Sequence, residues 1–252
     1  MAIQKTALVT GGAARVGKAI CEGLADAGYN IALHYNSSAE KAEAVVQELR
    51  EKGISAAAVQ ADLSNMKDTA TVIEKATSEL GPLGILVNNA SLFEEDDFNI
   101  PEDELWDKHF AVHVKTPALL TSGFVEQVSK DANGLVVNII DERVWKLTPN
   151  FASYTLSKST LWTATKTMAQ RYAPKVRVNA IGPGPTLPSY RQTEAQFAKQ
   201  LDTLLLKTNP ALPDFAKTIL YLADMRAVTG QMIALDGGQH LGWQTPDQSV
   251  PE

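Results

Sequence analysis

The chain has 252 residues, 44% of them hydrophobic, and a formal net charge of −6. That is enough apolar material for one sizeable core, and no basic cluster offers a footprint for nucleic acid. The 4 histidines lack ligand spacing and Cys21 stands alone, so neither a metal site nor an internal disulfide is expected.

The chain reaches an apolar run at 6–9 almost at once. No signal segment is therefore expected, and cytoplasm is the expected location. No apolar run approaches the roughly 20 residues of a membrane span. The first run reads as a strand and feeds directly into Thr10-Gly11-Gly12-Ala13-Ala14-Arg15-Val16-Gly17, with a helix expected over 18–27. A strand, a glycine-rich turn and a helix start form a cradle for pyrophosphate. Small residues let the backbone approach, and unpaired N–H groups point at the anion.

A second strand at 31–34 ends in His34-Tyr35-Asn36-Ser37-Ser38, and a helix over 39–52 stops at Gly53. Strand 56–60 leads to Ala61-Asp62-Leu63, then to a helix over 67–80 that stops at Gly81. Strand 85–87 leads to Asn88-Asn89-Ala90 and Ser91. The segment 103–130 should hold two helices, or one bent near Pro117. Strand 135–140, helix 151–172, strand 177–180 and strand 232–235 follow. Between the last two strands lies a proline-rich loop, 183–213, with a helical stretch at 193–206. Alternating strands and helices imply βαβ units on a parallel sheet covered on both faces. The expected fold is a single-domain, doubly wound α/β structure of Rossmann type. It has seven strands over 1–241, with a tail over 242–252.

Within the helix at 151–172, Tyr154 and Lys158 lie one turn apart on the same face. A nearby ammonium favours phenolate, so the Tyr154 pKa is expected to fall toward neutrality and make it a usable acid. Asp141 stands thirteen residues before Tyr154.

These motifs together resemble the short-chain dehydrogenase/reductase family, from about Lys5 to His240. Val178-Asn179-Ala180, Pro183-Gly184, Thr186, Thr229-Gly230 and Asp236-Gly237-Gly238 continue the match in order. The resemblance implies a nicotinamide cofactor. Gly11, Arg15 and Val16 would frame its pyrophosphate, while Asn89, Ala90 and Ser91 would sit along it with Pro183 and Gly184. Tyr154 would be the acid, and Lys158 would hold the nicotinamide ribose. Asp62, followed by Leu63, would bind the adenine amino group or else cap the next helix. Strand two ends in His34, Tyr35, Asn36 and Ser37, with no acid before Glu40. A carboxylate normally placed there for a ribose 2′-hydroxyl is missing, which favours NADP(H) over NAD.

Departures from the common pattern point to a subgroup. Arg15 replaces a glycine, Ser91-Leu92-Phe93 follows Ala90, and Asp141 stands where a serine is usual. Pteridine reductases and bacterial dihydromonapterin reductases resemble this combination. Phe93 would stack on a flat heterocycle, or serve as a core or lid residue. Arg15, Ser91, Asp141 and Tyr154 would complete the substrate site. An ionised Asp141 would repel the oxyanion of a ketone reduction, which argues for a C=N substrate. His113 stands where the family usually has an asparagine, and would link Lys158 to solvent or hydrogen-bond to backbone. If it titrates near pH 6.5, activity falls on acidification.

Three readings follow. The first is reduction of a pterin or dihydrofolate-like substrate. The second is a general carbonyl or 3-oxoacyl reductase, and the third a non-catalytic NADP-binding regulatory protein. The resemblance also implies a homotetramer; the partner is a small molecule, with no nucleic acid and no membrane.

Overall fold

A computed structural model describes residues 3–99 and 103–243. All but the first two residues of the expected tail lie outside that range. Seven parallel strands form one sheet in the order β3-β2-β1-β4-β5-β6-β7. They are β1 Thr6–Val9, β2 Asn30–Tyr35, β3 Ala56–Gln60, β4 Ile85–Asn88, β5 Gly134–Ile139, β6 Val176–Pro183 and β7 Met232–Leu235. The strands are near-continuous apolar runs because both faces are covered. On one face pack α1 (Arg15–Asp26), α2 (Ala39–Glu51) and α8 (Leu212–Asp224), through Ile20, Leu24, Val46, Leu49, Phe215 and Ile219. On the other pack α3 (Met66–Leu80), α5 (Thr116–Gln127) and α6 (Ala152–Tyr172), through Val72, Ile73, Leu120, Phe124 and Met168.

Strand order reverses between β1 and β4, so their outgoing loops diverge and leave a crevice. The two loops are tied together there. Thr10 Oγ1 accepts hydrogen bonds from the N–H groups of Asn89 and Ala90, each 2.9 Å. Asn89 Nδ2 donates back to Thr10 O at 2.8 Å.

Several expected boundaries move. Helix α1 begins at Arg15, three residues before the expected start, so Arg15, Val16 and Gly17 form its first turn. Gly17 has no room for a side chain, because a Cβ there would sit 2.1 Å from Gly11 O. The segment 103–130 holds α4 (Asp103–Phe110), a π-helical turn at Ala111–Lys115, and α5. Pro117 lies in the first turn of α5, directly after the π-helical turn, which is where the helical path changes its hydrogen-bond pattern. The expected helix at 193–206 is shorter, α7 (Glu194–Asp202), and opens with a capping box on Thr193 and Gln196. Strand β6 runs on to Pro183, three residues past its expected end.

His34 is a fold residue as well as a neighbour of the crevice. It is buried on β2, and Gly11 N–H donates to its Nδ1 at 3.1 Å. That fixes the tautomer, so Nε2–H donates to Ala61 O, also 3.1 Å away. One ring therefore holds the glycine turn to the loop after β3. Burial lowers the His34 pKa from 6.5 to about 4, so the ring is neutral at pH 7. Its depressed pKa stabilises the fold fully above the unfolded value of 6.5, and that stability is lost as pH falls toward 4. The shift corresponds to about 3 kcal/mol. Urea unfolding should show a midpoint that falls between pH 6.5 and 4. His34→Leu should be less stable at pH 7 yet flatter across that range; an unchanged slope would contradict this role.

Candidate active site

The carboxyl ends of β1, β4, β5 and β6 surround a cavity of about 500 Å³. Arg15, Val16, Phe93, Asp141, Tyr154, Pro183 and Gly184 line it, together with Phe151, Arg143 and Arg191. Five sequence-separated segments thus bring most of the expected substrate residues to one place. Ser91 stands apart from this lining, against Tyr154.

Tyr154 is buried on α6, and its hydroxyl donates to Asp141 Oδ2 at 2.8 Å. The other carboxylate oxygen, Oδ1, accepts Arg143 N–H at 2.9 Å and caps the short 3₁₀ turn Glu142–Val144. Asp141 is therefore both a cap and a catalytic-site group. Glu142 is turned away from the tyrosine and buried, and burial raises its pKa to about 7.

The expected acidification of Tyr154 is reversed. Its pKa stands well above 10, because burial penalises the phenolate and the Asp141 charge and hydrogen bond add to that penalty. The Arg143 charge and the nearby Ser91 hydroxyl act the other way. Lys158 makes its own hydrogen bond elsewhere. Its ammonium donates to Ile139 O at 2.9 Å and lies 5.7 Å from the centroid of the Tyr154 ring. Burial lowers its own pKa to about 8, with the Asp141 charge opposing. The spacing of Tyr154 and Lys158 was legible, but not that a backbone carbonyl holds the lysine.

Of the two readings of His113, the hydrogen bond to backbone holds and the link to Lys158 does not. The imidazole sits in the π-helical turn, fully enclosed, with Nδ1 2.8 Å from Ser157 Oγ and Nε2 2.9 Å from Ser91 Oγ. Its partners are serines and the Leu92 N–H, not Lys158. Burial holds its pKa well below 6.5, with the Lys158 charge adding to the effect. The expected loss of activity through its protonation is thus withdrawn. His109, one turn earlier, pairs with Ser153 at 2.6 Å and stacks on His113.

Phe93 is neither buried core nor free. It stacks on Phe151 with centroids 4.5 Å apart and meets Tyr154 edge-on at 4.8 Å. Phe151 is held at φ 57°, a left-handed conformation that costs a non-glycine residue on the order of 1 kcal/mol. The guanidinium groups of Arg143 and Arg191 lie 5.3–5.8 Å from both phenylalanine rings. Arg191 also donates to Phe93 O and to Glu94, tying the loop after β6 to the loop after β4. Phe151, Arg143 and Arg191 escaped the sequence reading, since no local motif marks an aromatic or a guanidinium that arrives from another loop. Trp145 and Trp162 pack on each other at 6.2 Å and do not line the cavity.

The expected cofactor residues occupy the crevice around β1. Arg15 has φ 50°, which explains why a glycine is usual there, and its guanidinium donates to Pro188 O at 3.2 and 3.3 Å. Ala14 caps α1 without a side-chain bond, so the first-turn N–H groups face the crevice unclaimed by a side chain. These features fit an anionic pyrophosphate. Tyr35 is partly buried at the end of β2, and Asn36, Ser37 and Ser38 are exposed. Ser38 is the N-cap of α2 but makes no capping bond through its hydroxyl. That leaves hydroxyls and an amide, without a carboxylate, where a 2′-phosphate would lie. Asp62 accepts from Ser64 N and Oγ, while Asn65 caps α3 in its place. Leu63 is buried, and its carbonyl accepts the Thr116 hydroxyl. Among the described residues no helix is long and apolar enough to cross a membrane, and no cluster of metal ligands occurs.

Comparison with known proteins agrees with this geometry. The short chain dehydrogenase family model matches residues 5–199. The structure of FolM alternative dihydrofolate reductase 1 from Brucella suis, in complex with NADP, superposes with a TM-score of 0.94 at 53% identity, covering 96% of this chain and 97% of that one. The Brucella canis protein of the same name, also complexed with NADP, gives 0.92 at 51%, covering 97% and 98%. The 3-oxoacyl-[acyl-carrier-protein] reductase FabG of Staphylococcus epidermidis is 30% identical over 95% of this chain and 100% of its own length. With its sheet order, its Tyr154–Lys158 pair and these matches, the chain belongs to the short-chain dehydrogenase family.

Proposed function

We propose that the protein is an NADPH-dependent reductase of a reduced pterin ring, of the dihydrofolate or dihydropterin class. The observation that carries this reading is the carboxylate of Asp141 on the hydroxyl of Tyr154. A ketone reduction builds negative charge on oxygen and needs a donor at this position, where a carboxylate would oppose it. Reduction of a ring C=N instead delivers a proton to nitrogen, and the ring carries N–H groups for a carboxylate to accept. The stacked Phe93 and Phe151 and the guanidinium groups beside them suit a flat, polar heterocycle. The two FolM structures support the same substrate class and NADP. The FabG relatives support 3-oxoacyl reduction as the second reading.

NADPH, when bound, supplies the hydride. Gly11, Arg15 and Val16 would hold its pyrophosphate, Asn36 and Ser37 its 2′-phosphate, and Asp62 its adenine. Asn89, Ala90, Ser91, Pro183 and Gly184 would hold the rest, with Lys158 at the ribose. Tyr154 gives the proton. Its high pKa keeps it protonated across the physiological range, so the acid is always loaded. Asp141 orients the phenol and accepts from the substrate ring. Arg15 and Phe93 complete the substrate site. A homotetramer in the cytoplasm belongs to the same proposal. Leu119 on α5 and Leu156 on α6, 36% and 39% exposed, support a partner on that face.

Tyr154→Phe should bind NADPH normally and lose nearly all turnover; retained turnover would remove Tyr154 from the role. Asp141→Ser is the sharper test. Turnover of a dihydropterin should fall by roughly 100-fold or more, while an acetoacetyl thioester is turned over as well or better. Unchanged pterin turnover would overturn the proposal. Lys158 is charged below pH 8 and neutral above it. The dissociation constant for NADPH, read by fluorescence, should therefore rise above that pH, and Lys158→Met should abolish the rise. A rise that persists in the variant would exclude Lys158 as its source.

A further inference from the structure

Glu142 and Gln239 line the cavity and have no part in the reading above. Among the described residues, seven buried side-chain atoms lack a hydrogen-bond partner, and three of them belong to residues lining this one cavity. They are Glu142 Oε2, Arg143 Nη1 and Gln239 Oε1. The other four lie on β4, α4 and α5, in residues outside the lining. A buried polar atom without a partner is uncommon enough to need a reason, and three on one wall need a common one.

Two short turns carry these residues. Glu142 and Arg143 open the 3₁₀ turn Glu142–Val144 directly after Asp141, and Gln239 opens a second, Gln239–Leu241, beyond β7. Asp236 holds the second turn by accepting from Gly238 N–H at 2.9 Å and His240 N–H at 2.8 Å. Lys146 Nζ donates to Gln239 O at 3.3 Å, and Trp145 packs on His240 with ring centroids 5.0 Å apart, so the turns are fixed against each other. Gly184 leaves room beside the glutamine, where a Cβ would stand 3.0 Å from Gln239 Oε1. Glu142 itself is 6% exposed. Burial raises its pKa to about 7, the charges of Asp141 and Asp236 adding to the effect and those of Arg143 and Lys146 opposing it. These are the charged groups that face it from both turns. The carboxyl is thus short of hydrogen-bond donors, and a ligand that brings them favours its charged form.

The wall offers two acceptors, one of them a carboxyl, and a guanidinium donor beside them. The 2-amino-4-oxo edge of a pterin ring presents the complement, with a carbonyl oxygen, a ring N–H and an amino group side by side. We infer that Glu142, Gln239 and Arg143 recognise this edge, Glu142 and Gln239 accepting from the ring N–H and the 2-amino group and Arg143 donating to the 4-oxo oxygen. The inference rests on the pterin reading of the cavity and deepens it, since it names the part of the ring that the protein selects. A lumazine ring differs from a pterin only in carrying oxygen in place of the 2-amino group. It would set that oxygen against the Glu142 carboxylate and leave an acceptor unpaired, which is the stronger basis for discrimination.

The test compares 7,8-dihydrobiopterin with the 7,8-dihydrolumazine of the same side chain, in steady-state NADPH oxidation from pH 6 to 8, for wild type, Glu142→Gln and Gln239→Leu. The wild type should favour the dihydropterin in kcat/KM. Glu142→Gln keeps the shape and loses the charge, so KM for the dihydropterin should rise roughly 10- to 100-fold, with kcat changed by less than about threefold. The preference for pterin over lumazine should shrink by a similar factor. Gln239→Leu should raise the same KM by roughly 3- to 10-fold. The wild-type KM should rise as pH falls from 8 to 6, because Glu142 takes up a proton near pH 7, and Glu142→Gln should flatten that dependence. Wild-type selectivity in both variants would overturn the inference, and so would a loss confined to kcat or Tm. Should Glu142→Gln fail to fold, Gln239→Leu carries the same test of selectivity. If the wild type reduces no dihydropterin, the reading of the cavity fails and the inference with it. If it does, and both variants keep its KM and selectivity, the inference alone fails.

Discussion

A phenol and a carboxylate sharing one hydrogen in a buried cleft constrain everything else around the site. Tyr154 and Asp141 meet at 2.8 Å, the phenol buried and the carboxylate 20% exposed at the cavity wall. Burial and the neighbouring charge both oppose phenolate, so in the proposed role the tyrosine would be a loaded but reluctant acid. Something must make proton release affordable in the reaction itself. Arg143, whose guanidinium lies 5.6 Å from the centroid of the Tyr154 ring, is the cation placed to do so. Lys158, the residue that the spacing alone would nominate, is committed to Ile139 O and fixes α6 against the end of β5.

The crevice beside this pair owes its shape to the reversal of strand order between β1 and β4. Thr10, Asn89 and Ala90 lock the two loops together, and His34 anchors the glycine turn from beneath. Gly17 lets α1 start directly under Gly11 O, with no side chain between. The helix start therefore faces the crevice at close range. Arg15 occupies a left-handed position that glycine would take without strain, and its guanidinium reaches Pro188 O in the loop after β6. Arg191 makes a second tie from that loop, to Phe93 and Glu94. Two arginines thus close the cavity from opposite edges, one on the cofactor side and one on the aromatic side.

The sheet was legible because parallel strands buried on both faces must be apolar runs, and β1, β3 and β7 fell where those runs fall. Helix starts were less legible. The residues of α1 before Lys18 look like loop, since glycine and arginine in a phosphate turn hide the helix they begin. The pairing of Asp141 with Tyr154 was readable as spacing, but its consequence was not. Whether a tyrosine is made more or less acidic depends on burial and on which charge arrives closest, and neither is written in a four-residue interval. His113 was recognised as unusual, and of its two readings the hydrogen bond to backbone holds, through the Leu92 N–H, while its serine partners come from distant segments. Phe151, Arg143 and Arg191 carry no local signature at all. They became visible only when loops after β4, β5 and β6 were brought to one cavity.

The central claim is that a carboxylate on the acid selects a ring C=N over a ketone. The most direct measurement is NADPH oxidation by the wild-type protein with dihydrobiopterin and dihydrofolate beside an acetoacetyl thioester and simple ketones. The account predicts turnover with the pterin-type substrates and little with the carbonyl compounds. Turnover confined to the carbonyl compounds would contradict it, and would mean that Asp141 does not set the choice of substrate.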